Sequence, residues 1–99
     1  MGALAAMIPY SHHNAHHSVT LTWHAAVEQP GERIVSYSIY RSTAPGGPCA
    51  PRASVVKALS YRDELVTAGT TYYYIVKSVD QSGQESGPSK EVQVTVPAR

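Results

Sequence analysis

Cysteine is almost missing from this chain of 99 residues: Cys49 stands alone, so no disulfide can close within it and no zinc site can be built from its own thiolates. Stability has to come from packing. Cys49 sits in the turn-dense run Thr43-Ala44-Pro45-Gly46-Gly47-Pro48-Cys49-Ala50-Pro51, with no His or basic neighbour in sequence to lower its pKa, and reads as a bystander thiol. An excess of one charge is missing too. Eight Lys and Arg against seven Asp and Glu leave a formal +1, scattered along the chain, so nucleic acid and anionic membrane surfaces are not expected partners. No apolar run approaches the ~20 residues that span a bilayer, and no membrane insertion is expected. The opening Met1-Gly2-Ala3-Leu4-Ala5-Ala6-Met7-Ile8 is apolar but lacks a basic leader region, and reads as a trimmed boundary or a first strand rather than a secretory signal.

Catalytic signatures are equally scarce. There is no Gly-x-Ser-x-Gly elbow and no His-Glu-x-x-His, and Gly46-Gly47 is flanked by prolines with no helix to follow, which excludes a phosphate-cradling loop. Asp63 and Glu64 are adjacent, so an extended chain points them to opposite sides, and a structural role suits Asp63 better than acid–base work. No enzyme activity and no cofactor is expected.

What is present is alternation. The length suits one domain, which buries roughly two-thirds of the surface its unfolded chain exposes. Between Ser18 and Ala25, Val19, Leu21 and Trp23 alternate with Ser18, Thr20, Thr22 and His24, a period of two that places the apolar set on one face of a half-buried strand. Glu28-Gln29-Pro30-Gly31-Glu32 supplies a turn. A second strand is expected over Arg33 to Arg41, with Tyr37 and Ile39 facing away from Ser36, Ser38 and Tyr40. Short strands follow at Ala53 to Lys57 and Leu59 to Asp63, with Tyr61 inward. Thr70 to Asp80 is the longest β-prone run, and Glu91 to Val96 alternates Val92, Val94 and Val96 against polar residues. Helical spacing is sustained nowhere. Short strands between Gly, Pro and Ser-rich turns predict an all-β antiparallel sandwich or barrel, and one Trp early with a Tyr opening a late strand favours the sandwich.

Several of these stretches, in order, resemble a fibronectin type III domain of the kind found in secreted bacterial multidomain proteins. They are Ser18-Val19-Thr20-Leu21-Thr22-Trp23, Tyr37-Ser38-Ile39-Tyr40-Arg41-Ser42, Gly46-Gly47-Pro48, Ser60-Tyr61-Arg62-Asp63, Gly69-Thr70 ahead of Tyr72, and Asp80-Gln81-Ser82-Gly83-Gln84-Glu85-Ser86. The likeness covers about Ser18 to Pro97, leaving residues 1–17 as an N-terminal segment. It implies an immunoglobulin-like antiparallel β-sandwich of about seven strands. The core would be Trp23, Leu21, Tyr37, Ile39, Tyr61, Tyr72, Tyr74 and Val76, with Tyr72 as a tyrosine corner bonded to backbone within Val66 to Gly69. The chain departs from the family where its first strand belongs, because that zone reads His12-His13-Asn14-Ala15-His16-His17. The first strand is then shifted toward Ala3 to Pro9, shortened, or exchanged with a second copy, so the chain is a monomer or a strand-exchanged dimer. Arg-Gly-Asp is absent, and the integrin contact of some animal members does not carry over.

Two groups are candidate sites. His12, His13, His16 and His17 are the only residues with metal-ligand chemistry in quantity, yet the segment lacks the apolar helical face that would hold an i,i+4 pair rigid, and it reads first as a polar strand edge. On the second parity of the late strand, Tyr73, Ile75 and Lys77 point outward with Tyr40 beside them, a face able to stack on sugar rings or to accept a neighbouring domain. The plainer role for these residues is cross-strand pairing that steadies the sheet. The leading function is a non-catalytic spacer or interaction module of a larger secreted or surface bacterial protein. Its partners are neighbouring domains or another protein, with carbohydrate binding through Tyr40, Tyr73 and Ile75 as the alternative and metal binding through the histidines as a third reading. The extracellular location is implied by the resemblance alone.

Overall fold

A computed structural model describes residues 17–98. Each apolar alternation becomes a strand, and the strands form two antiparallel sheets. β1 (Val19–Thr22) pairs with β4 (Ser60–Asp63), Val19 opposite Asp63 and Leu21 opposite Tyr61. The larger sheet runs β3 (Ala50–Val56), β2 (Ile34–Ser42), β5 (Thr71–Asp80), β6 (Val92–Thr95) in that order. The described residues hold six strands against the seven expected. The proposed first strand near Ala3 to Pro9 lies outside them.

Burial follows the period of two in β1 and β5. Val19 and Leu21 from β1, Tyr37 and Ile39 from β2, Tyr72, Tyr74 and Val76 from β5, and Val94 with Val96 at the end of the chain make the core between the sheets. Trp23 lies just beyond β1 rather than within it. Its backbone N–H donates to Leu59 O at 3.0 Å, and its ring meets Tyr37 edge-on at 5.7 Å between centroids. Burying a large apolar side chain contributes ~1.5–3 kcal/mol, so this set outweighs any single polar contact. Tyr61 is only partly buried, packed against the core from β4 rather than forming its centre. Ser36 and Ser38, expected on an outward face with Tyr40, are buried. β2 has hydrogen-bonded strands on both sides, with Ser36 opposite Val79 and Ser38 opposite Lys77 on β5.

Two loops are held by specific bonds. Thr67 N–H donates to the Tyr72 hydroxyl at 2.8 Å, which is the tyrosine corner expected upstream of β5. Gly69 beside it takes φ +80, a left-handed conformation that a side chain disfavours, and its N–H reaches Val96 O and Pro97 O at 3.0 Å each. That ties the loop before β5 to the end of β6. β3 carries two bulges against β2: Tyr37 and Ile39 pair with Val56 and Ala53, and Ile39 and Tyr40 with Ala53 and Pro51. Each leaves β3 one residue longer than its partner, and Arg52 is the extra residue of the second.

Candidate functional site

The outer face of the larger sheet is built by strand register. Tyr40 stands directly opposite Ile75, Ser42 opposite Tyr73 and Ser38 opposite Lys77, so the four side chains expected outside share one patch. They are half-buried rather than freely exposed. The Tyr40 hydroxyl donates to the Glu85 carboxylate at 2.7 Å, and Lys77 Nζ sits 4.8 Å from the Tyr40 ring centroid and 3.9 Å from Glu85 Oε1. Glu85 is placed there by a bridge between Val79 and Glu85 after the turn that follows β5. The hydrogen bond to Glu85, with burial and the nearby negative charge, pushes the Tyr40 phenol above its ordinary pKa. One face of Tyr40 is therefore occupied by a cation and its polar tip by a carboxylate. Of the patch's two aromatic rings, Tyr73 is the one without a cation against its face.

The histidines do not come together in the described residues. His12, His13 and His16 lie outside them, and His17 is buried at the head of β1 rather than solvated. Its Nδ1, like Ser18 Oγ and Trp23 Nε1 nearby in sequence, has no hydrogen-bond partner among the described residues. No group of three or more His, Cys, Asp or Glu is placed to hold a metal ion among the described residues.

A polar centre that the spacing did not announce lies between the sheets. Asp63 closes β4 with no exposed surface, and each carboxylate oxygen accepts two hydrogen bonds. Oδ2 takes Arg41 Nη1 at 2.9 Å and the Tyr74 hydroxyl at 2.7 Å, while Oδ1 takes Arg52 Nε and Leu65 N–H at 3.1 Å each. These donors come from β2, β5, β3 and the loop after β4, so one carboxylate joins the two sheets. Burial alone would push Asp63 up, but the bonds from Tyr74, Arg52 and Leu65 and the charge of Arg41 hold it below the usual carboxylate value. Burial, reinforced by the same carboxylate, drives the Tyr74 phenol far upward. The Arg41 guanidinium also lies over the Tyr72 ring at 4.6 Å and donates to Leu65 O at 2.8 Å. Tyr61-Arg62-Asp63 in the sequence marks the aspartate, but four donors from separate elements leave no local pattern to read.

Two packed antiparallel sheets, a Trp and Tyr core and a tyrosine corner define an immunoglobulin-like β-sandwich. No family model matches the chain. Among solved structures, an Fn3-like protein from Clostridium thermocellum is 39% identical with a TM-score of 0.70, covering 81% of this chain and 77% of that one. Titin module A71 from human cardiac muscle matches with a TM-score of 0.77 at 20% identity over 97% of this chain and 90% of its own, a likeness of fold. By sequence, an amylopullulanase of Thermoanaerobacter thermohydrosulfuricus is 43% identical over 76% of this chain, and exoglucanase B of Cellulomonas fimi 35% over 79%. The chain spans only 5% and 6% of those two relatives' lengths. The chain belongs to the fibronectin type III family.

Proposed function

We propose that this domain is a non-catalytic module which spaces or docks the other parts of a larger, secreted bacterial polysaccharide-degrading protein. One observation carries the reading. Stretches 35–43% identical to this chain recur in proteins named amylopullulanase, exoglucanase and chitinase, and in a poly(3-hydroxybutyrate) depolymerase at 36%, where they make up between 5% and 14% of the length. A segment shared by proteins of such different named activities does not set the chemistry of any one of them. Its work is then mechanical: a rigid core, a pinned corner and a buried intersheet carboxylate hold its ends at a set separation.

The outer face fits contact with an adjoining domain better than sugar stacking, because Lys77 already covers one side of the Tyr40 ring. The test is a proton–nitrogen NMR titration of the domain with soluble starch, cellulose and chitin fragments, alongside an assay for released reducing sugar. We expect no hydrolysis and no saturable shift at Tyr40, Tyr73, Ile75 or Lys77. Hydrolysis that survives repurification would overturn the non-catalytic reading, and saturable shifts confined to that patch would replace docking with carbohydrate binding.

A further inference from the structure

Beside the Asp63 centre, where β2 leaves the sheet and β3 returns, the surface folds into a cleft of about 290 Å3. Arg41 and Arg52 line it from β2 and β3, Ser42 and Thr43 from the strand exit, and Pro48 and Pro51 from the loop and strand opposite. Two guanidiniums face one aspartate here, which leaves one positive charge unmatched. Arginine does not give up its proton in a protein, so that charge persists at every working pH.

The donors that remain free point to the ligand. Arg52 uses Nε on Asp63, and its two terminal nitrogens have no hydrogen-bond partner among the described residues. Two parallel N–H groups at the end of a guanidinium are the geometry that takes both oxygens of one carboxylate or phosphate. The arginine is steadied for this. Its Nε–H is bonded to Asp63 at 3.1 Å, and its side chain is only 20% exposed. Arg41 is immobilised in the same way by Asp63, Leu65 O and the Tyr72 ring. The rim is also built in advance: Gly46 N–H donates to Glu91 Oε2 at 2.9 Å, Gly47 N–H to Ala44 O at 3.1 Å, and the Ser42 hydroxyl to Ala44 O at 2.7 Å. Glu91 accepts from Gly46 N–H and is not among the residues that line the cleft. Binding to such a frame avoids most of the cost of ordering a loop.

We propose that this cleft binds a small oxyanion, on the scale of one acidic sugar residue or a phosphate group, held end-on by the Arg52 guanidinium. Its volume stands at the lower limit of small-molecule pockets, roughly 300–1,000 Å3, which suits one ring or one headgroup and not a chain. Proline walls and the Thr43 hydroxyl at the mouth complete a site with one charged anchor and short, stiff sides. The proposal is independent of the spacer reading, and neither Tyr40 nor Tyr73 lines the cleft.

The test follows the Arg Nε–H and backbone resonances of the 99-residue chain during titration with sodium galacturonate, inorganic phosphate and neutral galactose, all at one ionic strength set with sodium chloride. Saturable shifts at Arg52, Ser42 and Thr43 with galacturonate, and none with galactose, are expected for an acidic sugar. Saturation by phosphate alone upholds the oxyanion site and assigns it to phosphate-bearing ligands. Shifts that never saturate, or that galactose reproduces, overturn it and leave the two arginines a purely structural role. Arg52→Lys keeps a cation beside Asp63 but loses the fork, and should weaken binding roughly tenfold. Thr43→Glu lies on an exposed loop away from Asp63 and sets a carboxylate at the mouth. It should abolish saturation while the spectrum stays dispersed, and unchanged affinity in this variant would equally overturn the proposal.

Discussion

At the scale of the residue, Asp63 is the side chain whose loss reaches furthest. Removing one partner from a buried ion pair leaves the other charges uncompensated at a cost of ~3–5 kcal/mol, a large part of the ~5–15 that holds a domain together. Asp63→Asn should accordingly lower the urea midpoint steeply, and a midpoint within error of the parent would mean that the two arginines are solvated in the native state. The same residue gives stability a direction in pH. Because the folded protein holds the Asp63 carboxyl below its ordinary value, the unfolded chain binds more protons in that interval. Its stabilisation is present above about pH 4, the ordinary carboxylate range, and is lost as pH falls through the depressed folded value. Tyr74, raised by burial and by Asp63, acts in the opposite sense: its contribution is intact below about pH 10 and is lost as pH rises further. Denaturation midpoints measured from pH 2 to 11 should show a plateau between these limits. Loss of most of the acid limb in Asp63→Asn would identify its source, the remainder falling to Asp80, whose carboxylate the Ser82 hydroxyl holds below its ordinary value. Tyr72→Phe is a smaller change. It removes one hydrogen bond, to Thr67 N–H, and should cost ~1 kcal/mol by the same measurement; no change would show that the corner bond is matched by water.

At the scale of the element, β3 is the strained strand. Val55 takes φ +57 in its bulge with 66% of its surface exposed, a left-handed conformation costly for a β-branched side chain that packs against little. Asn visits this region readily, so Val55→Asn should stabilise the domain by about 1 kcal/mol. A lower thermal midpoint would indicate that Val55 contributes packing which its exposure conceals. The alternation read from Ser18 to Ala25 runs three residues past the end of β1 at Thr22, whereas β2, β5 and β6 were legible to within a residue. β3 was not: its two bulges break the period of two, and the sequence reading began it at Ala53 instead of Ala50. Arg52, the extra residue of the second bulge, bonds Asp63. An irregularity invisible to pattern reading thus carries a charged side chain.

At the scale of the whole molecule, six described strands make a sandwich whose fold matches the family's, and whose outer face closes its polar groups on one another. Tyr40, Lys77 and Glu85 are 8 to 45 residues apart in sequence, yet one register and one turn bring them into contact. Alternation could place Tyr40 and Lys77 on the same side of a sheet, but not Glu85 beneath the hydroxyl. The amino-acid sequence by itself determined the all-β class, which rests on local periodicity, while its ordered motifs resembled the fibronectin type III family, and that likeness carried the partner zone of Tyr72 and the core positions other than the partly buried Tyr61. Tertiary structure alone decided that Asp63 gathers four donors, that Ser36 and Ser38 are buried, and that Arg41 and Arg52 share a cleft. Each of those depends on side chains from strands distant in sequence meeting across or between sheets, and no local pattern encodes such a meeting.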